Sequence, residues 1–199
     1  VEPQFWYNPE LASRYSLIPG SMAIILTLIG ALLTALVVAR EWERGTMEAL
    51  LATPIGRAEL LLGKIVPYFL LGMGSMLLST AVAVTVFGVP FRGSFLMLAV
   101  VSAVFMLSAL GQGLLISTVT RNQLVAAQAS ILSAFLPAFY FSNFVFEVDS
   151  MPWPLRVIAW VVPANYYVSS LQTLFLTGDV WPVLLPDLAA LLAIALGFF

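Results

Sequence analysis

The chain contains no cysteine and no histidine. Their absence excludes disulfide bonds and thiol nucleophiles, and it removes the side chain that most often serves as a zinc ligand or general base. Charged residues are also scarce, at 9% of the sequence, whereas a soluble domain has about a quarter. The net charge of -2 argues against a nucleic-acid partner, which requires a clustered basic face. No phosphate-binding loop of the form GxxxxGKS or GxxxxGKT occurs, so ATP hydrolysis would need a partner.

Long apolar segments are what the sequence has in abundance. Hydrophobic residues make up 61% of the chain and the mean hydropathy is +1.03, which is typical of a membrane protein. A helix needs about 20 apolar residues to cross a hydrocarbon core of about 30 Å. Runs of about this length occupy residues 17–39, 64–89, 94–119, 124–146 and 181–199. The sequence therefore predicts an all-α membrane protein, a helical bundle with five spans.

The segments outside these runs have a different composition. Residues 1–16 are polar and aromatic, and we interpret them as the end of a non-membrane domain that arrives at the bilayer. In residues 147–180 the apolar piece is interrupted by Pro163, so it is too short to span. We therefore assign residues 147–180 to an outer loop.

The orientation follows from the lysines and arginines of the short loops. If residue 1 is outside, the inner loops hold five basic residues and the outer loops hold three. The five are Arg40, Arg44, Arg57, Lys64 and Arg121, and the three are Arg14, Arg92 and Arg156. The larger set is expected in the cytoplasm, which makes residues 40–63 a cytoplasmic segment.

The segment "REWERGTMEALLATPIGRAELLLGK", from Arg40 to Lys64, holds eight charged residues in 25 positions. Its spacing predicts pairs of opposite charge three or four residues apart, such as Glu41 with Arg44. Thr46 is a candidate N-cap for a short helix that ends before Pro54. Met47, Leu50 and Leu51 form an apolar stripe on this helix. Such a helix is either an interfacial anchor in the lipid or a docking element for a cytoplasmic protein.

Polar and aromatic side chains within the spans are few. Gln112, Gln128 and Asn165 are expected either to face a cavity or to bond across helices. Phe135 and Phe139 belong to an aromatic half-span that packs, contacts lipid or forms the wall of an apolar binding site. No charged residue lies in the centre of a predicted span, and this disfavours an ion-coupled secondary transporter. An ion-coupled carrier or channel with an interfacial amphipathic helix is the alternative function.

The charged segment resembles the cytoplasmic loop of the type-2 ATP-binding-cassette (ABC) exporter permeases, in the bacterial drug- and polysaccharide-export branch. The similarity continues through "FGVPFRGS", "LGQGLLIST" and "MPWPLRVIAWVVPANYYVSSL". One departure is that Asn143 stands where the family often has glycine, and another is that Glu147 stands near an expected proline.

The resemblance implies a permease with six spans, of which this sequence would be a fragment lacking the first span and an extracytoplasmic domain. It implies two short re-entrant helices in residues 147–180 and a coupling helix that docks on a separate ATPase subunit, which would bind ATP and magnesium. The other implied partners are a second permease subunit, membrane lipid and a periplasmic adaptor protein. The implied location is a bacterial inner membrane. The implied coupling residues are Arg40, Glu41, Glu43, Arg44, Gly45, Thr46, Met47, Glu48, Leu50, Leu51, Thr53 and Pro54.

The predicted orientation can be tested because the sequence has no cysteine of its own. A single cysteine placed at Arg121 should react with an impermeant maleimide only from the cytoplasm. Cysteines placed at Arg92 or Asp179 should react only from outside. Labelling of Arg92→Cys from the cytoplasm would reverse the orientation.

Overall fold

A computed structural model of the chain describes residues 13–54, 56–144, 146 and 148–199. Helices account for most of these residues, and none of the described residues lies in a strand. The predicted all-α fold is therefore confirmed. Residues 1–12 of the predicted extracytoplasmic tail lie outside the described residues, and the first helix begins at Ser13, within the remainder of that tail.

Ten α-helices and two π-helical segments occur in the described part of the chain. The α-helices are α1 (Ser13–Thr27), α2 (Thr34–Glu43), α3 (Thr46–Leu51), α4 (Arg57–Thr85), α5 (Phe95–Thr120), α6 (Gln123–Ser130), α7 (Leu136–Tyr140), α8 (Trp153–Val161), α9 (Pro163–Leu176) and α10 (Trp181–Phe198). The π-helical segments, called π1 (Leu28–Leu33) and π2 (Ile131–Phe135), join α1 to α2 and α6 to α7 without a break.

Five continuous helices in the described residues are long and apolar enough to cross a membrane. They are Leu17–Glu43, Glu59–Thr85, Phe95–Thr120, Gln123–Tyr140 and Trp181–Phe198. The prediction of five spans is therefore confirmed, although the ends of three helices differ by four residues or more from the apolar runs. Helix α4 begins at Arg57 because the Glu59 carboxylate accepts a hydrogen bond from the Gly56 N–H at 3.2 Å, which caps the helix within the charged segment.

The fourth span ends at Tyr140, before the predicted end at residue 146. Asn143 adopts a φ of 59°, a left-handed conformation that glycine favours and asparagine tolerates. Its side-chain oxygen accepts a hydrogen bond from the Val148 N–H at 2.7 Å, which stabilises the turn. Asparagine can therefore take the place of the expected glycine here. Glu147, the other departure, lies outside the described residues.

Helices α8 and α9 form a pair of short helices separated at Val162, which has an extended backbone. With 9 and 14 residues, each is shorter than the about 20 residues that a span requires. The chain leaves α9 beside the loop between α4 and α5, because the Gly93 N–H donates to the Leu174 carbonyl and the Ser94 N–H donates to Asp179, both at 2.8 Å. Asp179 therefore lies at the same end of the bundle as Arg92.

Helix α5 forms the centre of the bundle and packs against α2, α4, α9 and α10. The buried ring of Phe105 stacks on Tyr167 of α9, with ring centroids 4.0 Å apart and an angle of 7° between the planes. The Tyr167 hydroxyl shares a hydrogen bond with Ser102 at 2.8 Å, so this buried polar group is satisfied. These contacts hold α9 inside the bundle even though it is too short to span.

Glycines allow α5 to approach the first helix closely. A β-carbon added to Gly113 would lie 2.5 Å from the Ala31 carbonyl oxygen, and one added to Gly30 would lie 2.5 Å from the Ala109 β-carbon. Small residues at such contacts let helices pack by dispersion in lipid, where apolar surfaces gain little from leaving the solvent. By contrast, a β-carbon at Gly74 would meet nothing within 4 Å.

Gly113→Ala is expected to destabilise the bundle, because backbone atoms of π1 would have to move away from the new β-carbon. Overpacking of a core costs about 1–3 kcal/mol. Gly74→Ala is the matched control, since it has room for the methyl group and should gain up to about 1 kcal/mol of helix propensity. Thermal unfolding in detergent should show a lower midpoint for Gly113→Ala only. Equal midpoints for the two variants would contradict the close contact.

Candidate coupling site and apolar cavity

The predicted coupling helix is α3, which lies at one end of the bundle together with Arg40, Lys64 and Arg121; we call this the basic end. Gly45 separates α2 from α3 with a φ of 70°, a left-handed conformation that lets the chain turn sharply after a helix. The Thr46 hydroxyl donates to the Glu41 carbonyl at 3.1 Å, one of the acceptors left free where α2 ends. The prediction that Thr46 is the N-cap of α3 is therefore wrong. Gly45 has that position, and Thr46 is the first helical residue.

The faces of α3 differ from the predicted stripe. Met47 is only 5% exposed and packs against Val38 of α2 and Leu114 of α5. Met47, which the resemblance places among the coupling residues, therefore faces the bundle, and its side chain anchors α3 there. Leu50 is half-buried in a groove beside α4, and the Leu51 side chain lies outside the described residues.

The outward face of α3 and the turn after it is polar or has small side chains. Its exposed residues are Thr46, Glu48, Ala49, Ala52, Thr53 and Pro54. Helix α3 ends at Leu51, so Pro54 follows the helix as predicted. Among the described side chains of this face, those of Ala49 and Ala52 are small, so a partner can approach the helix closely at these two positions.

The charges of the segment are arranged around the end of α2. Arg40, Glu43, Arg44 and Glu48 are exposed. The Glu41 carboxylate forms an ion pair with Lys64 of α4 in the described structure, in place of the predicted pair with Arg44. Arg44 is the C-cap of α2, where the backbone leaves the helix, so the spacing of three residues no longer puts the two side chains on one face.

The connection between α5 and α6 also reaches the end of α2, and this was not predicted. The Arg121 guanidinium lies 4.6 Å from the centre of the Trp42 ring, a cation–π contact of about 0.5–1 kcal/mol at an exposed site. Asn122 donates from its amide nitrogen to the Glu43 carboxylate at 2.8 Å. The one signal in the sequence was "TRNQL", in which Asn122 is a candidate N-cap before an apolar helix.

A cavity of about 260 Å³ lies deeper in the bundle. Its walls come from the end of α1, from α5, from π2 and α7, from α8, from the turn into α9 and from the end of α10. The lining residues include Thr27, Phe105, Gln112, Ser133, Pro137, Ile158 and Val162. Most of the lining is apolar, which suits a hydrophobic ligand.

Polar groups at the cavity are bonded to the backbone of the protein. Gln112 donates from its amide nitrogen to the Ser133 carbonyl at 2.9 Å, and Ser133 lies in π2. A π-helical turn alters the regular hydrogen-bond pattern of a helix and often occurs at functional sites. Thr27, the last residue before π1, donates its hydroxyl proton to the Ala23 carbonyl at 2.8 Å. Both π-helical segments thus lie next to the cavity.

Of the five predicted cavity residues, Gln112 lines this cavity. Gln128 is exposed on the surface of α6. Phe135 and Phe139 are half-buried against the hydrophobic core. Asn165 accepts a hydrogen bond from Asn143 at 3.3 Å and donates to the Ala159 carbonyl at 3.4 Å, so it stabilises the outer turns.

The acidic side chains of the described residues are dispersed. Within the described ranges, no group of three or more acidic side chains is close enough to hold a metal ion, and the chain has no histidine or cysteine. The described site consists of the exposed α3 at the basic end and the apolar cavity between the helices.

Five apolar helices, a short helix at one end and a pair of helices too short to span define an integral membrane protein of the helical-bundle class. The sequence profile described as "ABC-2 family transporter protein" matches residues 2–199. The chain therefore belongs to the ABC-2 transporter family, and the predicted family is confirmed.

Curated relatives come from Escherichia coli K12. The chain is 54% identical over 198 residues to the "Probable multidrug ABC transporter permease YbhS", covering 100% of this chain and 52% of the relative. It is 29% identical over 190 residues to the "Probable multidrug ABC transporter permease YbhR", covering 90% of this chain and 50% of the relative. It is 29% identical over 202 residues to the "Inner membrane transport permease YhhJ", covering 100% of this chain and 53% of the relative. The chain thus spans about half the length of the curated relatives it matches, and these permeases support a location in the inner membrane.

Proposed function

We propose that the chain is the membrane-spanning part of an ABC exporter permease and that a separate ATPase subunit drives it. The observation that carries this proposal is α3, a short helix anchored through Met47 with its other face exposed at the basic end. The sequence lacks a phosphate-binding loop, so ATP and magnesium would bind to the ATPase and this chain would be non-catalytic.

The exposed face of α3 suits docking into a groove of the ATPase. Small side chains at Ala49 and Ala52 allow close approach of the helix, while Glu48, Arg40 and Arg44 supply charges that set the orientation and rate of association. A lipid anchor would instead need its apolar side chains turned outward into the bilayer. Met47 is turned inward, which favours docking over anchoring.

Ala49→Glu is expected to abolish co-purification of the ATPase, because it places a longer charged side chain in the middle of the exposed face of α3. The loss should reach at least about 2 kcal/mol of binding energy, the scale of a hot-spot contact. Co-purification from detergent and ATPase activity in proteoliposomes would measure it.

Met47→Ala is the contrasting variant for this experiment. It leaves a cavity in the core and should lower the free energy of unfolding of the permease by about 2–5 kcal/mol. Normal co-purification of the ATPase with Ala49→Glu would contradict docking through this face and would favour the interfacial anchor.

The cavity supports a hydrophobic or amphipathic substrate. Its lining is mainly apolar, and the polar groups of Thr27 and Gln112 already bond to backbone carbonyls. Charged substrates would lose hydration there without gaining a charged partner. The names of two relatives include the word multidrug, and this agrees with a site selected by hydrophobicity more than by specific hydrogen bonds.

Ile158→Trp should impair transport, because Ile158 lines the cavity and a larger ring would fill part of it. Val157→Trp is the matched control, since Val157 is the preceding residue of α8 and does not line the cavity. ATP-dependent efflux of ethidium from inverted vesicles should fall several-fold for Ile158→Trp only. Equal efflux by both variants would exclude this cavity from the transport route.

We propose the remaining partners by analogy with the family. A second permease subunit, identical or different, would complete the transporter, and a periplasmic adaptor could receive the substrate on the outer side. Helices α8 and α9 would enter the outer leaflet and return, since Asp179 lies beside the loop that carries Arg92. The competing ion-coupled carrier predicts active transport with a proton or sodium gradient in the absence of the ATPase.

A further inference from the structure

Three consecutive residues at the end of α2 contact three other parts of the basic end. The Glu41 carboxylate pairs with Lys64 of α4, and the Trp42 ring lies beside Arg121. Glu43 accepts a hydrogen bond from Asn122 at 2.8 Å, across 79 positions of sequence. The end of α2 is therefore joined to α4 and to the connection between α5 and α6, in addition to α3.

The connection between α5 and α6 consists of Arg121 and Asn122. Arg121 has a φ of 49°, a left-handed conformation that is strained for a residue other than glycine. The Asn122 amide is used at both ends, because its oxygen accepts from the Val125 N–H at 3.0 Å and its nitrogen donates to Glu43. A two-residue connection has no slack, so a displacement of Asn122 also displaces the first turn of α6.

Helix α6 continues through π2 into α7 without a break, and this continuous helix forms one wall of the cavity through Ser133, Ala134 and Pro137. A tilt imposed at Asn122 is therefore transmitted to the cavity wall. Helix α4, which Glu41 contacts through Lys64, contributes no residue to the cavity lining. The Glu43–Asn122 hydrogen bond therefore joins the end of α2 to the residue that begins this continuous helix, next to the direct packing of Ala35 and Ala39 of α2 on Ala126 of α6.

We infer that Glu43 and Asn122 are positioning residues of the transport cycle, whose hydrogen bond transmits the displacement of α3 and α2 to the cavity wall formed by α6, π2 and α7. This inference rests on the proposed function, in which an ATPase moves α3. Neither residue needs to contact ATP or the transported substrate for this role. What the role requires is one donor and one acceptor at this pair of positions.

The donor and acceptor can be exchanged, and this gives a sharp test. Asn122→Asp keeps an oxygen that accepts from the Val125 N–H, but it removes the donor to Glu43. It also places a second carboxylate beside that of Glu43, and the two repel each other. Glu43→Gln keeps an acceptor for Asn122 and is the matched control. In the double variant, the amide introduced at position 43 can donate to the carboxylate introduced at position 122, which restores the bond with its direction reversed.

The experiment uses the full-length permease with its ATPase in lipid nanodiscs. Spin labels are placed on Leu132→Cys in π2 and Leu185→Cys in α10, since both side chains are exposed in the described structure and tolerate a label. Electron paramagnetic resonance distances are compared without nucleotide and after trapping with ATP and vanadate. Co-purification of the ATPase, its basal activity and the thermal midpoint are measured on the same samples.

We expect trapping to shift the distance in the parent protein and in Glu43→Gln, the shift to be lost in Asn122→Asp, and the double variant to regain it. Basal ATPase activity and co-purification should be the same in the parent protein and in Asn122→Asp, because Asn122 lies outside the implied coupling segment. An unchanged shift in Asn122→Asp, a loss that the double variant does not rescue, or no shift in the parent would each overturn the inference. Absence of a co-purifying ATPase from the parent protein would instead overturn the proposed function.

Discussion

The need to satisfy every backbone hydrogen bond inside a hydrocarbon layer governs this structure. Regular helices meet that need, and a π-helical turn meets it with a shifted pattern of hydrogen bonds within the helix. The main irregularities within the apolar part of the described chain are π1, π2 and the turn at Val162. Residues in or next to all three line the cavity. The irregular backbone segments of the described chain therefore lie beside the cavity that could hold a ligand.

The same environment changes how the helices hold together. Apolar surfaces gain little by leaving lipid, so close packing supplies the attraction. The contact of Gly113 with Ala31 brings α5 against π1, and the stack of Phe105 on Tyr167 holds α9 beside α5. Helix α5 thereby contacts both the first helix and the short outer pair. Phe105 also faces the cavity, so the contacts that hold the core together help to shape the cavity.

Sequence patterns predicted the number and approximate position of the spans because about 20 apolar residues are needed to cross a bilayer, and that length is visible in one dimension. They also placed a short helix between Thr46 and Pro54, because capping residues and proline limit helices locally. They failed for Met47 because periodicity gives the angle between side chains and does not say which face meets the bundle. They missed the bond between Glu43 and Asn122 because no local rule relates residues 79 positions apart.

The predicted cavity residues show the same limit. Gln112, Gln128 and Asn165 are all polar amides, and only their surroundings in the fold distinguish their roles. Gln112 donates to the carbonyl of Ser133 in π2, while Gln128 lies on the surface.

The first helix, formed by α1, π1 and α2, connects the two candidate sites physically. Its Thr27 lies at the cavity, and its last turn, in α2, carries the contacts to α3 and Asn122. Because π1 lies between them and packs against Gly113, a movement at the basic end must either tilt the whole helix or alter the π-helical turn beside the cavity. Both responses change the cavity, so the position of π1 makes the first helix sensitive to α3 at its distant end.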